Sequence, residues 1–144
     1  MRILVAEDDS EYRGVLCETL ELCGHTVLPA ADGVEAFQLL TRNTVDVIIS
    51  DIQMPNRTGT QLHESVRSDE RLQHIPFIYI TGFAILRMAT PIDMTGLDFM
   101  VSKVPFERLL QIVDDIGDIM TLPSMTLSPM SRHEASLRGK APSY

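Results

Sequence analysis

The chain has 144 residues, 44% hydrophobic and 22% charged, with a formal net charge of −8. That is room for one domain with a sizeable core and too little for two ordinary ones. No apolar run reaches the roughly 18 residues of a membrane span, and an acidic body (−10, against +2 over residues 122–144) argues against direct nucleic-acid binding while suiting a carboxylate site that holds a cation.

Met1 reads as a natural start, and the residues after it lack the parts of a secretory signal. Ile3 to Ala6 is a short apolar run that predicts a strand. Residues 11–23 carry a helical period, with Tyr12, Val15, Leu16, Thr19, Leu20 and Cys23 on one face and Gly24 as the C′ stop. Cys17 and Cys23 are six apart and share no helix face, so both are expected reduced and partly buried in a cytoplasmic protein. A weaker strand run spans 25–30. Asp32 is the predicted N-cap of a helix over 33–42 with Ala36, Leu39 and Leu40 as its stripe.

The third run, 45–50, is β-branched and nearly continuous, and Leu62 and Val66 mark a helix over 58–67. Pro76 opens the fourth run, Phe77 to Ile80. Residues 84–95 form the poorest helical stretch, which Pro91 is expected to shorten or break. The fifth run is Leu97 to Val101. A helix over 105–120 opens near Pro105 and carries Leu109, Leu110, Val113 and Ile116. From Leu122 the composition turns to Pro, Ser and Gly without a period, which predicts a domain over 1–121 and a flexible tail over 122–144; a helix-capping extension held by Met125, Leu127 and Met130 is the alternative. His25, His63, His74 and His133 have no ligand spacing and are expected at the surface or an edge.

Short apolar runs alternating with helices predict an α/β domain, (βα)5, with strands buried on both faces in an open, doubly wound parallel sheet. In such sheets ligands bind at the carboxyl ends of the strands. Glu7-Asp8-Asp9 come after the first run, Asp51 after the third, Thr81-Gly82 after the fourth and Ser102-Lys103 after the fifth. Carboxylates from separate strands crowded at one edge raise each other's pKa and oppose folding. A hard divalent cation such as Mg²⁺ removes that conflict, and it commonly binds one or two carboxylates plus a phosphate. A lysine and a hydroxyl on the same edge complete a site suited to phosphoryl transfer.

The string Ile3-Leu4-Val5-Ala6-Glu7-Asp8-Asp9 resembles the opening of a response-regulator receiver domain. So do Asp51-Ile52-Gln53-Met54-Pro55, Gly59 eight residues after the aspartate, Thr81 and Lys103. The resemblance covers about residues 1–121. It implies the flavodoxin-like sheet order 2-1-3-4-5. It implies Asp51 as phosphoacceptor, forming an acyl phosphate with a phosphoryl group from a histidine kinase or phosphotransfer protein. It also implies Mg²⁺ held by Asp8, by Glu7 through water, by Asp51 and by the backbone carbonyl of Gln53. Thr81 would hydrogen-bond the phosphoryl group and Lys103 would pair with it. Asp9 is expected to cap the first helix.

Two positions depart from the family. Val104 stands after Lys103 where the family has proline, and the proline comes at Pro105; the 103–104 bond is expected trans, which puts the aim of Lys103 in question. Met100, with Phe99 beside it, stands at the family's aromatic switch position. Gln53 and Phe83 flank the path of attacking water, and bulky Phe83 is expected to slow loss of the phosphoryl group. In this family signalling runs through the face of the fourth helix, fifth strand and fifth helix, here about residues 84–110. Its apolar stretch from Ala84 to Met94 suits either a partner protein or second copy of the chain, or core packing around a broken helix. The leading reading is a stand-alone receiver with output by protein–protein contact. The alternatives are a pseudo-receiver that signals without phosphate and an aspartyl phosphatase; the latter wants a second acid where Gln53 stands.

Overall fold

The computed structural model describes residues 1–82 and 96–122. The chain divides into two compact units, Met1–Val113 and Asp114–Tyr144. The described strands are β1 (Arg2–Ala6), β2 (Thr26–Ala30), β3 (Val47–Asp51), β4 (Phe77–Thr81) and β5 (Asp98–Ser102). The described helices are α1 (Ser10–Leu22), α2 (Gly33–Arg42), α3 (Gly59–Arg67) and α4 (Glu107–Met120). The strands form one parallel sheet in the order β2-β1-β3-β4-β5, the expected doubly wound order. The predicted helix over 84–95 lies outside the described residues. No helix among the described residues is long and apolar enough to cross a membrane.

The register levels the carboxyl ends of the strands. Ala6 pairs with Ser50, Asp51 with Ile80, and Thr81 with Ser102. Glu7 therefore comes level with Asp51, and Lys103 falls one step past Thr81. Burial of β1, β3 and β4 is nearly complete, as for parallel strands covered on both faces. The sequence predicts the same for all five runs, but β2 and β5 are edge strands with exposed positions. Pro29 is tolerated in β2 because that strand is an edge.

Local chemistry fixes the helix ends. Asp9 caps α1, its Oδ1 accepting the N–H groups of Glu11 and Tyr12 at 3.0 and 3.2 Å. At the other end Gly24 takes φ +91°, its N–H donates to the Glu21 carbonyl, and His25 N–H donates to the Leu20 carbonyl. That double closure needs the left-handed conformation glycine adopts freely. The core-facing stripe of α1 is narrower than its period suggests: Leu16 and Leu20 are buried, whereas Val15 and Cys23 are exposed. Asp32 caps α2. A reciprocal pair caps α3, with Thr58 Oγ1 accepting from Gln61 N–H and Gln61 Oε1 accepting from Thr58 N–H.

His63 departs from its expected surface position. It is buried on α3, with Nε2 2.9 Å from Asp98 Oδ1 and its ring edge-on to Phe77 at 5.0 Å. Arg67, one turn on, donates to the same oxygen at 2.6 Å and to the Gln73 and Ile75 carbonyls. A carboxylate can stay buried here because it is paired and hydrogen-bonded. The cluster ties α3 to the starts of β4 and β5, at the sheet end opposite Asp51.

Candidate functional site

Asp51 ends β3 and is 7% exposed. Its Oδ1 accepts the Ile52 N–H at 2.7 Å and the Gln53 N–H at 3.4 Å. Its Oδ2 accepts from Lys103 Nζ at 3.0 Å. The turn after β3 brings α3 against this residue: Gly59 N–H donates to the Ile52 carbonyl at 2.9 Å, and a Cβ at position 59 would collide with the Asp51 carbonyl oxygen. Glycine is required there by space, since Gly59 has no left-handed φ.

Glu7, directly after β1, has no exposed surface. Its Oε1 accepts the Asp9 N–H at 3.0 Å, and its Oε2 makes a close ionic contact with Lys103 Nζ at 2.8 Å. Asp8 beside it is exposed. Oxygens of Glu7, Asp8 and Asp51 lie within 4.8 Å of one another. With all three ionised, one ammonium leaves the group two charges in deficit, and burial makes that expensive. The carboxyl of Glu7 responds: burial pushes its pKa from 4.5 up to about 7, the Asp51 charge adds to the rise, and the Lys103 ammonium and the Asp9 N–H oppose it. Lys103 is held more basic than usual; burial alone would lower it, but the carboxylates of Glu7 and Asp51 outweigh burial.

The Lys103–Val104 bond is trans, as expected, and the cis peptide lies one residue on, at Val104–Pro105. The aim of Lys103 does not suffer. Its N–H donates to the Thr81 carbonyl at 2.9 Å, its own carbonyl accepts from Tyr12 Oη at 2.6 Å, and its Nζ reaches both carboxylates. Tyr12, expected only as part of the apolar face of α1, is thus a member of the site.

Thr81 sits at the same edge, 3% exposed, with its hydroxyl donating to the Gly82 carbonyl at 3.0 Å. Gln53 is exposed in the loop after Asp51. Met100, on β5, is half-buried and packs against the core cluster that α2 and α3 form with the sheet, which includes Leu40, Leu62, Phe77 and Tyr79. Phe83 and the stretch from Ala84 to Met94 lie outside the described residues; of the expected signalling face, residues 96–110 are described.

An all-oxygen set with three carboxylates fits a hard divalent cation, and the set itself offers no nitrogen or sulfur donor to a softer metal. The Asp51 carboxylate is buried, with backbone N–H groups on one oxygen and an ammonium on the other, an arrangement that can hold a nucleophile in place beside charge-neutralising groups.

The family model described as the response regulator receiver domain matches residues 3–114. Among curated relatives, the chain is 41% identical over 83 residues to a chemotaxis protein CheY homolog of Campylobacter jejuni, covering 56% of this chain and 64% of that one. The chain therefore matches less than two thirds of that relative's length. It is 29% identical over 118 residues to the polar-differentiation response regulator DivK of Brucella ovis, covering 81% of this chain and 96% of that one. Among solved structures, it is similar to the receiver domain of a Pseudomonas aeruginosa sensor histidine kinase, with 27% identity, a TM-score of 0.69, and coverage of 81% of this chain and 97% of that one. That structure has a magnesium ion coordinated in its active-site cleft.

Proposed function

The chain belongs to the response regulator receiver family of two-component signalling, and from that premise we propose that Asp51 accepts a phosphoryl group from a histidine kinase or phosphotransfer protein in a Mg²⁺-dependent step. One observation carries the reading: Lys103 Nζ bridges Asp51 Oδ2 and Glu7 Oε2 in a pocket where three carboxylates converge. In the reaction an Asp51 oxygen bonds to phosphorus while the donor's bond to phosphorus breaks, giving an acyl phosphate. Lys103 exchanges its contact with Asp51 Oδ2 for a phosphoryl oxygen, and the Thr81 hydroxyl turns from the Gly82 carbonyl to another. Glu7, Asp8, Asp51 and the Gln53 carbonyl would hold Mg²⁺, which when bound would neutralise charge on the phosphoryl oxygens. The magnesium in the Pseudomonas neighbour supports this assignment.

The domain we assign spans residues 1–121, with 122–144 as a tail and output by protein–protein contact. A receiver is a signalling switch, not an enzyme that turns over an external substrate. The phosphate-free reading draws on Val104 and Met100; the geometry of Lys103 weakens the first of these grounds. Incubation with a small phosphodonor and Mg²⁺, then intact mass, tests the proposal. One added phosphoryl group, lost in Asp51→Asn, supports it. No gain at any Mg²⁺ concentration favours the phosphate-free reading.

A further inference from the structure

Tyr12 closes a ring of contacts around the ammonium. Asp9 N–H donates to Glu7 Oε1 at 3.0 Å, Tyr12 N–H donates to Asp9 Oδ1 at 3.2 Å, Tyr12 Oη donates to the Lys103 carbonyl at 2.6 Å, and Lys103 Nζ returns to Glu7 Oε2 at 2.8 Å. The aromatic ring lies beneath the same ammonium, 5.1 Å from Nζ to centroid, and packs on Phe106 at 5.7 Å. One side chain thus grips Lys103 at both ends, the carbonyl by a hydrogen bond and the charge by the ring face. Residues 12 and 103 are 91 apart in sequence, so this contact joins the first turn of α1 to the segment leaving β5.

We propose that Tyr12 is the positioning residue for Lys103, holding the lysine carbonyl and ammonium so that Nζ bridges Asp51 and Glu7. For phosphoryl transfer this rests on the function proposed above; for the geometry of Lys103 it does not. Asp9 gains a second task, since its cap fixes the backbone of the turn that carries Tyr12. The ring keeps its place when Lys103 swings from Asp51 to a phosphoryl oxygen, because it is anchored on the lysine carbonyl and on Phe106, neither of which moves with the ammonium. Tyr12 therefore limits how far the ammonium can wander between its two partners.

The chain's two lysines are Lys103 and Lys140, which allows a direct test. Full-length protein is treated with a limiting dose of an amine-acylating reagent, and Lys103 labelling is read by peptide mapping relative to Lys140. Tyr12→Phe, which loses only the hydrogen bond to the Lys103 carbonyl, is expected to raise that ratio about fivefold, and Tyr12→Leu, which also loses the ring beneath the ammonium, by more. An unchanged ratio in both variants overturns the proposal. The second readout is the phosphorylation rate with a small phosphodonor in a double-mutant cycle. Tyr12→Leu is expected to slow the reaction about tenfold when Lys103 is present and to change nothing in Lys103→Ala. Equal slowing in both backgrounds assigns Tyr12 to general folding and also overturns it. If the wild type takes no phosphoryl group, the functional reading falls, while the labelling ratio still decides the role of Tyr12. Tyr12→Phe, the milder change, keeps the test usable if Tyr12→Leu folds poorly.

Discussion

Glu7→Gln is expected to stabilise the protein at alkaline pH in the presence of a chelator. Burial lifts the Glu7 carboxyl from 4.5 to about 7, so the folded protein holds this proton more tightly than the unfolded chain does. The associated stability is fully present below pH 4.5 and is lost as pH rises through 7. The full loss is on the order of 3 kcal/mol, of which about 2 kcal/mol falls between about pH 5.5 and 8. Urea unfolding in EDTA at those two pH values measures it. Wild type is expected to lose about 2 kcal/mol more than Glu7→Gln over the interval, and saturating Mg²⁺ to restore the wild type by binding the ionised carboxylates. Parallel pH dependence of the two proteins, or a Glu7→Gln variant less stable than wild type at about pH 8 in EDTA, would refute this account of the buried carboxyl.

Three further outcomes rest on the same geometry. Gly59→Ala drives a methyl group into the Asp51 carbonyl; it is expected to cost about 2–3 kcal/mol in urea unfolding and to weaken Mg²⁺ binding by calorimetry, since the displaced backbone carries the site. Lys103→Ala removes the ammonium between Glu7 and Asp51; titration should show Mg²⁺ binding several-fold tighter, while the phosphorylation rate falls at least about tenfold. Arg67→Ala strips a hydrogen-bonded partner from buried Asp98; it is expected to cost on the order of 3 kcal/mol, with the phosphorylation rate per folded molecule unchanged because the cluster lies at the opposite end of the sheet.

Much of the site is legible in the sequence because its chemistry sits at strand ends. Short apolar runs with acids, a hydroxyl or a lysine directly after them place Glu7, Asp51, Thr81 and Lys103 on one edge once the sheet is parallel. The caps at Asp9, Asp32 and Gly24 are equally plain, being local. The features that escape depend on partners distant in sequence. His63 looks like any helical histidine until the pairing of Phe77 with Asp98 brings a carboxylate beneath it; the one local signal is Arg67, four residues on and on the same helix face. Tyr12 sits at an apolar helical position, and only the path of the chain after β5 turns its hydroxyl to Lys103. The edge character of β2 and β5 is a property of the sheet, which no single run of residues encodes.

The central claim is that Asp51 itself carries the phosphoryl group, and chemical trapping tests it most directly. After reaction with a phosphodonor and Mg²⁺, borohydride reduces an aspartyl phosphate to the alcohol, which peptide mapping then locates. Reduction confined to position 51 is the expected result. Reduction at Asp8 or Asp9, or none at all in protein that has taken up phosphate, would contradict it.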